Sequence, residues 1–218
     1  TMKNVLDFLT QLSSNNNREW FTANKSRYLE ARASFDAMID KLIPEIRKFD
    51  PAIGPVTAKD CVFRIYRDVR FSKDKSPYKS NMGGFIVKGG RKGGYAGYYL
   101  HIDPVESFIA GGNHMPSPEH LKKIRQEIMY NIDEFKGILN KPSFRKTYGS
   151  IEGDRLSRPP KDFPADFPDI DLLKFKSYTV MHAVDSKVVL NADFEDHVIR
   201  TFRELYPLNR FLNRALEG

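Results

Sequence analysis

The chain has 218 residues, 40% of them hydrophobic and 12% aromatic. That is enough to bury a core and too apolar for a disordered protein. No apolar run approaches the roughly 20 residues a membrane span needs, and the opening Met2-Lys3-Asn4-Val5-Leu6-Asp7 lacks the uncharged stretch of a signal peptide. A single cysteine, Cys61, excludes an internal disulfide and a thiolate zinc site. Together these features predict a soluble, cytoplasmic protein. The net charge is +7, and its placement is informative. Between Lys59 and Lys92 lie ten Lys or Arg and three acids, so this stretch carries the whole excess and the rest is formally neutral. A basic patch confined to one segment points to an anionic partner, although such a run can also be a solvated, salt-bridged face.

In chain order, Val5, Leu6, Leu9 and Leu12 fall at helical spacing. Asn16 or Asn17 is placed to cap a short helix carrying Arg18, Glu19, Trp20 and Phe21. A longer helix is predicted from about Asn24 to Lys48, with Tyr28, Phe35, Met38, Ile39, Leu42 and Ile46 on one stripe. Pro44 should kink or restart it. The centre reads as strands: Cys61 to Tyr66, Phe85 to Val87, Tyr98 to Ile102 and Phe108 to Ala110. Gly89 to Gly94 forms a flexible hairpin loop between the second and third. Ser117-Pro118 starts a helix, with a capping serine and proline at the first helical position. Another helix, around Glu134 to Asn140, stops before Pro142. Asp154 to Pro168 is a proline- and charge-rich loop. Ser177 to Val184 is a strand with Tyr178, Val180, His182 and Val184 on one side. A helix from Asp193 to Tyr206 and a closing turn or two from Leu208 to Leu216 finish the chain. The pattern predicts one α+β domain over residues 1–218, with an antiparallel sheet of about four to six strands flanked by N-terminal, middle and C-terminal helices.

The segment Phe63 to Lys79 concentrates the chemistry. Arg64, Arg67 and Arg70 recur every third residue, a spacing that would alternate faces on a continuous strand. Either the strand ends near Tyr66 or a bulge re-aims the side chains. Ser72, Asp74 and Ser76-Pro77 mark a loop. Arginine's planar fork matches phosphate and carboxylate bidentately. Two like charges 4 Å apart repel by roughly 4 kcal/mol at an effective dielectric near 20, so such a cluster needs acids or an anion. Asp68 can hold one arginine in place.

This run, from Asp60 to Lys79, resembles the hallmark of the family catalogued as domain of unknown function 2461. Further matching stretches are Phe8-Leu9, Asn15 to Phe21, Gly97 to Ile102, Gly111-Gly112 with Pro116 to Arg125, Gly153 to Leu156 with Pro160-Lys161, and Pro207 to Leu212. The likeness covers nearly the whole chain. Two positions depart from the family pattern: Asp162, where glycine is usual, and Asn113-His114, where an apolar or aromatic residue is usual. The resemblance implies a family and no activity.

The candidate anion-binding set is Arg64, Arg67, Arg70, Lys75, Tyr78, Lys79, Gly111 and Gly112. The glycine pair allows close approach and can offer N–H groups. Tyr66, Tyr99, Trp20 and Arg18 are candidate lining residues. Tyr99 and His101 share one strand face. His101 and Asp68 are the candidates for moving protons. The five histidines show no metal-ligand spacing, and no Walker loop, dinucleotide fingerprint or nucleophile elbow is present, so no metal or cofactor is indicated. Three readings stand. The first is a site for a phosphorylated small molecule or nucleotide, with phosphoryl or phosphodiester chemistry if it is catalytic. The second is a nucleic-acid-binding module that uses the basic patch with Tyr66, Phe71, Tyr78 and Tyr95. The third is an interaction protein in which the arginines are internal struts.

Overall fold

The structure is a computed structural model that describes residues 1–217. Three helices come first: α1 (Met2–Ser14), α2 (Arg18–Ala23) and α3 (Lys25–Arg47). Asn17 caps α2, accepting from the Trp20 N–H. A one-turn helix, α4 (Ala58–Cys61), is held by a capping box in which Thr57 and Asp60 satisfy each other's backbone donors. The sheet follows as β1 (Met82–Ile86), β2 (Gly97–Ile102) and β3 (Ser107–Asn113). Next come α5 (Pro118–Tyr130), α6 (Ile132–Asn140), α7 (Pro142–Tyr148) and α8 (Ile170–Leu173). Strand β4 (Tyr178–Val184), α9 (Ser186–Val189) and the long α10 (Phe194–Glu217) complete the chain. No helix among the described residues is long and apolar enough to cross a membrane.

The four strands pair antiparallel in the order β1-β2-β3-β4, so the fold is α+β, as the pattern predicts. One face of the sheet is covered. Tyr98, Leu100 and Ile102 of β2, Ile109 of β3, and Tyr178, Val180 and Val184 of β4 are buried in one hydrophobic cluster with α1, α3 and α10. Helix α10 lies so close to β3 that a Cβ on Gly111 would fall 2.1 Å from the Leu205 side chain. A Cβ on Gly84 would fall 2.7 Å from Ile39 of α3. The opposite face carries Phe85, Tyr99, His101, Phe108, Ala110, Thr179 and Met181, none of them fully buried. No helix covers it. The sequence pattern of two unlike faces therefore separates a core face from an open one.

The elements depart from the sequence reading in four places. Cys61 to Tyr66 is not a strand: Cys61 ends α4, and the chain then makes only single bridges, Val62 to Gly84 and Tyr66 to Tyr78. The physical reason is a change of partner. Phe63 N–H donates to Gly83 O, and by Arg67 the acceptor has become Pro77 O, so the segment peels away from β1 and folds back on itself. Pro142 starts α7 rather than merely ending α6, taking a first-turn position where no donor is needed. Pro44 and Pro207 lie inside continuous helices. Each forfeits a backbone donor, but the buried stripes on both sides, Leu42, Ile43 and Ile46 in α3 and Leu205, Leu208 and Phe211 in α10, keep the helix docked.

Candidate functional site

A cavity of about 980 Å³ opens on the uncovered face of the sheet. Its floor is apolar and aromatic, formed by Phe85, Tyr99, Phe108, Ala110 and Met181. Its cationic side comes from the segment that peels away from β1. There Lys79 N–H bonds Ile65 O at 2.8 Å and Arg67 N–H bonds Pro77 O at 3.0 Å, making an irregular two-stranded ribbon whose tip is the loop Asp68 to Ser76. The ribbon brings Phe63, Arg64, Arg67 and Lys79 to the cavity. The odd spacing of Arg64 and Arg67 is resolved by this ribbon rather than by a regular strand.

A fourth cation arrives from the glycine-rich loop. Gly89, Gly90 and Gly94 take positive φ values near 75°, which lets the loop fold back on α4. Arg91 N–H then bonds Asp60 O, its Nη1 donates to Lys59 O at 2.9 Å, and its side chain lines the cavity. This loop is tied down, not a free hairpin: Asn113 Nδ2 also donates to Gly94 O at 3.0 Å. Lys79 Nζ and Arg91 Cζ stand over the Phe63 ring, 5.6 and 5.9 Å from its centre.

The charges are unevenly matched. Arg67 is engaged by Asp74, Ser76 O and Ser72 Oγ, so it braces the ribbon tip as well as reaching the cavity. The Asp74 carboxyl is held down to about 2, first by the Ser76 hydroxyl and N–H and then by Arg67. Asp68 takes a bidentate pair from Arg70, at 3.0 and 2.7 Å, and that pairing lowers its pKa. By contrast, Arg64, Lys79 and Arg91 form no ion pair among the described residues, and Lys79 Nζ donates only to Arg64 O, at 2.9 Å. Burial, and then the neighbouring Arg64, pull the Lys79 pKa down. Two acids also line the cavity, Asp68 and Glu152, the latter bridged through its backbone to Thr179.

On the floor, Tyr99 Oη lies 2.9 Å from His101 Nδ1, and the His101 ring stacks on Phe108 at 4.4 Å. Burial pushes the Tyr99 phenol up to about 12 and lowers the His101 imidazole, so both are neutral at pH 7. Gly83 makes this arrangement possible: a Cβ there would stand 2.4 Å from the Tyr99 hydroxyl.

Of the residues singled out in the sequence, Arg64, Arg67, Asp68, Lys79, Tyr99, Gly111 and Gly112 line this cavity. Others lie elsewhere. Tyr78 is buried in an N-terminal aromatic group, stacked on Phe21 at 3.9 Å, with its backbone held by Asn16. Tyr66 and Trp20 belong to the same group, through Phe21 and Phe8 respectively. Arg18 is on exposed α2, Arg70 is an exposed partner of Asp68, and Lys75 Nζ closes the tip by donating to Val69 O. His101 stands behind Tyr99 and does not line the cavity. Gly111 and Gly112 serve packing. Gly111 lets α10 approach, and a Cβ on Gly112, at φ 102°, would fall 2.0 Å from Tyr178 O. Since β3 is paired on both sides, these glycines are part of the sheet ladder rather than a free anion cradle. Sequence reasoning missed Arg91, Asn81, Phe85, Phe108, His114, Thr179 and Met181 as cavity residues. For Thr179 and Met181 the signal was present, as the side of β4 opposite the apolar Tyr178, Val180 and Val184.

The family model of conserved hypothetical proteins with domain of unknown function 2461 matches residues 4–211. The chain belongs to this family. The matched span holds the entire cavity lining, from Phe63 to Met181, so the site is made by the family's own domain and not by an appended segment. No curated protein and no solved structure gave a significant match.

Proposed function

We propose that the protein binds a phosphorylated small molecule or nucleotide on the open face of its sheet. The observation that carries this reading is the set of three cations without ion pairs, Arg64, Lys79 and Arg91, beside an aromatic floor in one cavity of about 980 Å³. A flat apolar floor suits a base or sugar ring, and gathered cations suit its phosphate. Cations gathered in one place repel one another, Asp68 in the same lining is committed to Arg70, and a bound oxyanion relieves the repulsion that remains. For phosphoryl or phosphodiester chemistry, Arg64 and Lys79 are the groups placed to stabilise developing negative charge. Tyr99, with His101 behind it, is the neutral donor placed at the floor. Asp68, ionised and committed to Arg70, is a weak base.

Calorimetric titration of nucleoside mono- and diphosphates and sugar phosphates tests the proposal. Arg64→Ala with Lys79→Ala should weaken the best ligand by about 3–6 kcal/mol, two charge-assisted contacts at about 1.5–3 kcal/mol each. Absence of heat with every compound would defeat the reading.

Exposed aromatics favour a second reading, single-stranded nucleic acid. Phe63, Tyr66 and the 96% exposed Phe71 are interleaved with Arg64, Arg70 and Lys73 along the ribbon. This reading requires oligonucleotide affinity that falls steeply with salt and drops on Phe71→Ala.

A further inference from the structure

A second cleft, of about 430 Å³, lies between the first turns of α5 and the loop from Leu156 to Phe163. It shares no lining residue with the sheet-face cavity. At its base is Arg125, an arginine only 8% exposed. Its Nη2 donates to Phe175 O at 3.0 Å, while its Nε is buried without a partner. No carboxylate pairs with it among the described residues. The acids close by in sequence or in the cleft are already engaged: Glu119 by Lys123, Asp162 by Lys122 at 2.9 Å, and Glu127 by Arg214 at 2.7 Å. Arg125 also reaches the Tyr178 hydroxyl, but that phenol donates to Leu172 O at 2.8 Å and burial raises its pKa, so it is a neutral partner and no counter-charge.

A guanidinium stays charged throughout the accessible pH range. Burying one without an opposite charge costs several kcal/mol, so buried arginines normally end on a carboxylate or a bound anion. The rest of the lining is formally balanced, Lys122 and Lys161 against Glu119 and Asp162, so the charge of Arg125 stays uncompensated. Lys161 lines the same cleft, is exposed, and forms no ion pair. Leu156, Pro160 and Phe163 supply apolar surface. The volume lies within the usual range for small-molecule sites.

We propose that this cleft is a second anion-binding site, in which Arg125 receives the oxyanion head of a small ligand, Lys161 closes over it, and Leu156, Pro160 and Phe163 face its apolar remainder. The head is a phosphate or a carboxylate, the two groups a guanidinium fork recognises. The site is independent of the sheet-face cavity, so each can fail without the other.

The test follows the Arg125 Nε–H resonance in ¹⁵N-labelled protein, assigned by through-bond correlation from its own backbone. Inorganic phosphate and acetate are titrated separately, with chloride holding ionic strength constant. The expected result is a saturable movement of that resonance with one of them, which also identifies the head group. Lys161→Gln, an exposed change that leaves the fold intact, should weaken the response about fivefold, the order for one charge contact at the solvent edge. The response should survive Arg64→Ala with Lys79→Ala. No movement with either anion would overturn the proposal and leave Arg125 as a strut to Phe175. Movement indifferent to Lys161→Gln, or abolished by the Arg64 and Lys79 changes, would overturn it as well.

Discussion

On the helix-covered face of the sheet, several buried polar side chains end on partners, although Asn209 Oδ1 and His197 Nε2 are left without one. Tyr98 donates to Asp50 at 2.9 Å, Tyr148 to Thr201 O at 2.6 Å, and Asn209 Nδ2 to Gly97 O at 2.9 Å. On the open face the charges are less fully matched: Lys79 and Arg91 stand over the Phe63 ring, and among the described residues Arg64, Lys79 and Arg91 form no ion pair, although Asp68 and Glu152 line the same cavity. The same four strands build both faces. The difference teaches that the covered face is organised for stability and the open face carries an uncompensated charge that stability alone does not explain.

Adjacent residues of β3 give the sharpest way to break this contrast. Gly111→Ala puts a methyl 2.1 Å from Leu205 Cδ2 and 2.4 Å from Gly97 O. The leucine can turn, but the carbonyl belongs to the neighbouring strand. The expected loss is about 3 kcal/mol, read as a lower urea midpoint with unchanged slope. Ala110→Val, on the open face, should stay within about 0.5 kcal/mol while narrowing the cavity. Equal losses would mean that both faces are packed.

A smaller effect compares polar groups. Tyr98→Phe leaves the Asp50 carboxyl, whose pKa burial already raises, without its phenol donor. A cost of about 1–3 kcal/mol is expected in thermal or urea unfolding. Arg64→Ala, removing a cation with no ion pair, should change stability by no more than about 0.5 kcal/mol. A large loss there would favour the reading of the arginines as struts.

The smallest effect sharpens the division within the ribbon itself. Asp74 is exposed and its carboxyl is held down to about 2 by Ser76 and Arg67. A depressed carboxyl stabilises the native state above the unfolded value of about 3.9, and loses that contribution as pH falls towards the native value. Asp74→Asn should therefore melt slightly below the wild type at neutral pH, and the gap should close between about pH 4 and pH 2. A gap independent of pH would show that the brace rests on shape rather than charge.

Much of the fold was legible because its signals are local. The caps at Asn17 and Ser117, the stripe of α3 and the alternation in β2 and β4 each follow from neighbours in sequence. The family hallmark and the concentration of charge between Lys59 and Lys92 were equally plain. What failed was assignment by proximity in sequence. Lys75, Tyr78 and Lys79 lie within five residues, yet one closes a loop tip, one is core and one faces the cavity. Arg91 joins Arg64 only because positive-φ glycines turn its loop back onto α4.

The sequence by itself determined the α+β class, the antiparallel character of the sheet and the existence of a cationic segment, since periodicity, turn residues and charge counts are properties of short stretches. Only the tertiary structure decided which cations lack acids, which sheet face stays open, and that Arg125 is buried without a counter-charge. Those are distances between parts of the chain far apart in sequence, and they exist only once the ribbon, the glycine loop and α5 have packed against the sheet.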